Sequence, residues 1–185
     1  STGVQVIDPT QREQGAPPVI AGCGVGDPRK GVDLLPRLAA DLTRLFAGRD
    51  FLIRWIGKVD PEWQDLILLD LERLGVADRV EFVGEVLDPR VVLAEADVFV
   101  LPSREDPFPL VCLEAAQCGL PIVCFAGGGG APELIEEDAG RVVPYLDVGA
   151  MAAAVAEIVG DEELRVRLGS TAREKVETLY SVDRQ

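Results

Sequence analysis

The sequence has 185 residues, 48% of them apolar, which is enough for one domain with a substantial core. Its formal net charge of −14 excludes a general nucleic-acid binder, although a small phosphorylated ligand needs only one or two local cations. No histidine is present and no apolar run reaches the ~18 residues of a membrane span, so imidazole chemistry is excluded and no transmembrane segment is expected.

Ser1 to Ala16 is polar and lacks the basic-then-apolar pattern of a secretory leader, so a cytoplasmic location is expected. The absent initiator Met suggests a fragment or a processed chain. Residues 1–18 read as a lead-in, 19–180 as the domain and 181–185 as a truncated tail. Val19 to Cys23 is the first strand, followed by a glycine-containing loop from Gly24 to Gly31. A helix is expected over about Val32 to Phe46, with Leu35, Leu38, Leu42 and Leu45 on its apolar stripe and Pro36 tolerated near the first turn. Phe51 to Ile56 is the second strand. Asp60, Pro61 and Glu62 open the next helix, whose stripe is Trp63, Ile67, Leu71 and Leu74 and which Gly75 ends.

Val80 to Val83 is a third strand, a short helix runs from Asp88 to about Ala96, and Asp97 to Leu101 is a fourth strand. A helix over about Pro109 to Cys118 leads through Gly119 to a fifth strand, Pro121 to Phe125. Gly127 to Gly130 form a loop before a short helix, Pro132 to Glu136; Arg141 to Val143 is a sixth strand. Two helices close the chain, about Val148 to Val159 and Glu162 to Leu179. Short apolar strands alternating with helices predict an α/β fold, a doubly wound parallel sheet of Rossmann-like type. Cys23, Cys112, Cys118 and Cys124 show no C-x-x-C spacing and read as reduced, buried thiols.

The richest stretch is Leu101-Pro-Ser-Arg-Glu-Asp-Pro-Phe-Pro-Leu-Val-Cys-Leu-Glu114. A strand ends, acids follow, and a helix opens. Carboxylates and free helix N–H groups therefore meet beyond a strand's carboxyl end, where open α/β sheets bind ligands. Glu114 lies among apolar neighbours, and a buried carboxylate needs a partner; the alternative is that Glu105 and Asp106 are solvated loop acids and Glu114 an ordinary helix residue. The loop Gly22-Cys-Gly-Val-Gly-Asp-Pro-Arg-Lys-Gly31 occupies the place of a phosphate-binding turn. It is neither a full dinucleotide fingerprint, because Arg29 stands at the third glycine, nor a P-loop, because no Ser or Thr follows Lys30. Its content is the cation pair Arg29–Lys30; the alternative is a plain surface turn. Gly57, Gly84 and the run Gly127 to Gly130 follow other strands and would lie on the same edge, where glycines let backbone approach a ligand; for Gly127 to Gly130 a flexible surface loop is the alternative.

In combination, these segments resemble the C-terminal, donor-binding domain of retaining GT-B glycosyltransferases of the glycosyltransferase family 4 type. The core of the resemblance is Ala96 to Val123, supported by Arg29-Lys-Gly-Val-Asp33, Val80-Glu-Phe-Val-Gly84 and Gly130-Ala-Pro-Glu-Leu-Ile135. It implies the C-terminal half of a GT-B fold, with the family's E-x7-E motif on Asp106 and Glu114. Glu114 would hold ribose hydroxyls and Asp106 hydroxyls of the donor sugar. Lys30, with Arg29, would neutralise the diphosphate. N–H groups of Phe108, Leu110 and Val111 would face the distal phosphate. Gly24, Glu105, Pro107 and Pro109 would line the donor site, and Gly57 and Gly84 would border the base.

Four positions depart from the family pattern. Asp106 replaces the usual Glu, Pro107 and Pro109 stand where glycines are frequent and remove two N–H donors, and Val25 occupies the place of a frequent arginine. The resemblance further implies a nucleotide-sugar donor as partner, no cofactor, no metal, and an acceptor bound mainly by an N-terminal domain that this chain lacks. The isolated domain would then be inactive. A non-catalytic nucleotide or nucleotide-sugar binding module is the alternative. A dinucleotide-dependent oxidoreductase is disfavoured by the incomplete fingerprint and by Gly57-Lys58 where a ribose-binding acid would stand.

Overall fold

The computed structural model describes residues 15–107 and 109–182. Six strands form one sheet: β1 (Val19–Cys23), β2 (Leu52–Ile56), β3 (Val80–Gly84), β4 (Val98–Leu101), β5 (Ile122–Phe125) and β6 (Gly140–Val143). Their order is β3-β2-β1-β4-β5-β6, and every pairing is parallel. Parallel strands need crossovers, and these are supplied by α1 (Leu35–Leu45), α2 (Pro61–Arg73), α3 (Arg90–Leu93), α4 (Leu110–Gln117) and α5 (Ala131–Ile135); α6 (Val148–Gly160) and α7 (Glu162–Val182) follow β6.

Side chains alternate across each strand, so neighbours feed different cores. Ile20, Ile53, Trp55 and Val100 join α1, α2 and α6 on one face. Ala21, Phe99, Leu101 and Cys124 join α3, α4 and α5 on the other. The last helix serves both, through Leu164 and Leu168 on the first and Ala172 and Val176 on the second. With both faces covered, β4 and β5 are buried at every position, which is why they read as unbroken apolar runs.

Three expected elements differ in detail. The helix expected from Val32 begins as a 3-10 turn, Val32–Leu34, and becomes α-helical only at Leu35, because Pro36 has no N–H to bond backwards. Leu45 is exposed and Phe46 takes its place in the core. On α2 only Ile67 and Leu71 are buried; Trp63 and Leu74 are 37% and 50% exposed, since the helix packs at the margin against α1 and covers a narrow stripe. The helix expected to reach Ala96 stops at Leu93. Beyond it Glu95 and Ala96 donate to Val92 and Leu93, the tighter three-residue pattern, before Asp97 donates its N–H to Val19.

From β1 the strand order runs outward to β2 and β3 on one side and to β4, β5 and β6 on the other. The β1–β4 junction is therefore the topological switch point, and a crevice forms outside its carboxyl ends. There β1 pairs with β4 only at Ile20↔Val98 and Ala21↔Phe99.

Candidate functional site

Two loops border the crevice. The first leaves β1 and tightens into a 3-10 turn, Pro28–Lys30, capped by the Asp27 carboxylate, which accepts from the Lys30 N–H at 3.0 Å. Gly31 then turns with φ +79° and presses on the second loop: a β-carbon there would lie 2.0 Å from the Pro102 carbonyl oxygen. That contact explains the glycine and holds the two loops together. Across it Lys30 reaches Asp106, Nζ to Oδ2 at 2.5 Å, with both side chains largely buried.

The second loop leaves β4 and enters α4. Asp106 is 5% exposed, and its backbone is pinned: its N–H donates to the Gly128 carbonyl at 2.6 Å and its carbonyl accepts from the Gly130 N–H at 3.3 Å. Within the glycine run, Gly129 and Gly130 make close backbone contact with Asp106 and Pro107. Pro109 precedes α4 without a side-chain cap, so the N–H groups of Leu110 and Val111 have no acceptor within the helix.

Glu114 lies one turn into α4 and is half-buried. Burial pushes its carboxyl up from the usual range, Arg90 pulls the other way, and Asp88 adds to the rise. Arg90 is itself gripped by Asp88 in a two-pronged pair at 2.9 Å. Among the described residues no hydrogen bond or ion pair ties down the Glu114 carboxylate. Cys23, at the end of β1, links the two sides of the crevice. Its thiol is pushed up to about 11, first by burial and then by Glu114, while Lys30 acts to lower it. Both charges are therefore felt at one strand end.

The remaining predicted residues fall around this centre. Arg29 is exposed, and its guanidinium has no ion pair among the described residues. Glu105 and Pro107 are exposed, Pro109 is buried, and Phe108 lies outside the described residues. Gly24, Gly57 and Gly84 form a backbone seam along the ends of β1, β2 and β3. Gly57 donates to the Gly84 carbonyl at 2.8 Å, and a β-carbon on Gly57 would lie 2.3 Å from the Gly24 oxygen. Sequence reasoning missed Arg104, which forks onto Asp33, and Arg90 beside Glu114. The one available signal was Arg104 itself, a cation inside an acidic run.

A groove of about 1000 Å³ opens between α4, α5 and α7, with Pro109, Leu110 and Gly130 in its lining. It is a poor place for phosphate. Its lysine, Lys175, is already bound by Glu136 at 2.6 Å and Asp138 at 2.5 Å, and acids dominate its charged lining. The crevice at the β1–β4 junction carries Lys30 and Arg29, and α4 opens beside it. Among the described residues, no group of three or more acids or cysteines is arranged to hold a metal, and no helix is long and apolar enough to cross a membrane.

Residues 5–175 match the model of the family described as glycosyl transferases group 1. The chain is 31% identical over 175 residues to a GDP-mannose-dependent monoacylated alpha-(1-6)-phosphatidylinositol monomannoside mannosyltransferase of Corynebacterium glutamicum, covering 89% of this chain and 44% of that protein. It is 28% identical over 160 residues to the lipopolysaccharide core biosynthesis mannosyltransferase LpcC of Rhizobium leguminosarum bv. viciae, covering 85% and 45%. The chain thus spans less than half of either protein. Anabaena Alr3699/HepE, solved in complex with UDP-glucose, superposes with a TM-score of 0.78 at 22% identity, over 88% of this chain and 44% of that one, a likeness of fold.

Proposed function

The chain belongs to the glycosyl transferases group 1 family, and we propose that it binds a nucleoside-diphosphate sugar in the crevice between the ends of β1 and β4. In this reading it is the donor-binding half of an enzyme that moves a glycosyl unit to an acceptor with retention of anomeric configuration. The acceptor is held by a domain outside this chain, no metal or other cofactor is required, and the chain alone is inactive.

The observation that carries the reading is the Lys30–Asp106 pair at 2.5 Å across the switch point, with Glu114 on the helix that follows. Glu114, whose carboxylate has no hydrogen bond or ion pair among the described residues, accepts from ribose hydroxyls. Lys30 and the Leu110 and Val111 N–H groups meet the diphosphate and stabilise the charge that grows on it as the glycosidic bond breaks. Arg29, exposed at the rim, adds a second cation. Asp106, its backbone pinned by Gly128 and Gly130, receives the sugar hydroxyls. The mannosyltransferase relatives favour a hexose donor.

Calorimetric titration of the chain with UDP, GDP and ADP, and with their monophosphates, tests the reading. One diphosphate is expected to bind more tightly than its monophosphate. Equal affinities, or no binding of any of the six, would remove the diphosphate cradle.

A further inference from the structure

Arg104 joins more of the crevice than any other side chain in these loops. Its guanidinium forks onto Asp33, Nη1 to Oδ1 at 2.7 Å and Nη2 to Oδ2 at 2.9 Å, and Nη1 also donates to the Pro28 carbonyl. Its backbone N–H donates to the Arg29 carbonyl at 2.8 Å. On the other side its carbonyl accepts from the Tyr145 hydroxyl at 3.1 Å, and the Tyr145 ring stands edge-on to Phe125 at the end of β5.

Lys30 sits inside the segment so gripped, with Pro28 and Arg29 before it and Asp33 after it. Asp106 lies two residues beyond Arg104. Fixing residue 104 to residues 28, 29 and 33 fixes both backbones from which the 2.5 Å Lys30–Asp106 pair projects. A lysine stem has several rotatable bonds, so its ammonium stays on one partner only if the two anchor points hold still. The fork needs arginine, because an ammonium cannot meet both carboxylate oxygens and a carbonyl in one plane.

We infer that Arg104 is a positioning residue, a strap across the switch point that holds Lys30 on Asp106 and so presets the cation for the donor diphosphate. The strap stands on contacts seen without ligand; only its last clause rests on the donor-binding reading.

Lys30, Lys58 and Lys175 are the lysines of this chain, which allows a direct test by acetylation footprinting with mass spectrometry. Lys58 is exposed and serves as the reference; Lys175, held by Glu136 and Asp138, reports general loosening. Arg104→Gln and Asp33→Asn are each expected to raise the Lys30-to-Lys58 labelling ratio about fivefold, the scale of one partly exposed ion pair. Lys175 should not change, and Arg104→Lys should not restore protection. Affinity for UDP or GDP, whichever the unmodified chain prefers, should fall by a similar factor. The proposal is overturned if the ratio does not move, if Lys175 rises in step with Lys30, or if nucleotide affinity is untouched in Arg104→Gln. If neither nucleotide binds the unmodified chain while both variants release Lys30, the donor reading fails and the strap stands.

Discussion

Gly129 and Asp106 are packed backbone to backbone: a β-carbon on Gly129 would lie 1.9 Å from the Asp106 carbonyl oxygen, and its φ of +134° is one that side chains rarely adopt. Gly129→Ala must therefore push the β5–α5 loop away from Asp106. A stability loss of about 1–3 kcal/mol is expected in urea unfolding, together with weakened diphosphate binding. Gly127→Ala faces open space, though its φ of +74° is also strained, so it should cost less stability and leave binding nearly intact.

Lys30→Ala leaves Asp106, almost fully buried, without its counter-charge. The expected destabilisation is about 1–3 kcal/mol, below the ~3–5 of a fully enclosed pair because Lys30 keeps some contact with water. Lys30→Ala with Asp106→Ala should recover part of that loss, since the orphaned charge is gone, while diphosphate affinity stays about tenfold or more below that of the unmodified chain. Paired urea curves and titrations read both quantities.

Glu114 gives a pH signature. Burial raises its carboxyl in the folded chain, so the folded state keeps the proton to higher pH than the unfolded state does. Through that window the folded state binds more protons, and stability falls as pH rises. Glu114→Gln should therefore melt higher than the unmodified chain at neutral pH, with the gap closing as pH drops toward the ordinary glutamate range. The same substitution should weaken nucleotide binding. A higher melting temperature with lost affinity marks a carboxylate kept for its ligand and not for the fold.

The cysteines should be unreactive. Burial pushes Cys118 to about 11 and Cys124 to about 12, and Cys112 is raised well above its usual value. With Cys23 at about 11, only on the order of one thiol in a thousand is a thiolate at pH 8. A disulfide-exchange reagent should show no fast phase on the folded chain and complete reaction in urea. Cys23, at the crevice, is the thiol whose slow alkylation a bound diphosphate should retard further.

The sheet and its helices were legible because short apolar strands and capped helices announce themselves: Asp60 caps α2 and Gly75 ends it, as read. Burial was less legible. Trp63 and Leu74 fit a helical stripe that the margin of the sheet does not cover. In the crevice, the pairing of Lys30 with Asp106 follows from strand order, which places two loops 76 residues apart on one edge. Arg104–Asp33 was invisible for the opposite reason. A cation in an acidic run looks solvated until the fold sets a carboxylate from another loop against it. The glycines were recognised as close-contact positions, but sequence could not say whether ligand or backbone would make the contact.

The most direct measurement is the position of a bound nucleoside diphosphate in a co-crystal of this chain. The expected density lies at the end of β1, with a phosphate between Lys30 Nζ and the Leu110 and Val111 N–H groups and a ribose on Glu114. Density in the apolar groove between α4, α5 and α7, with neither Lys30 nor Glu114 touching the nucleotide, would contradict it.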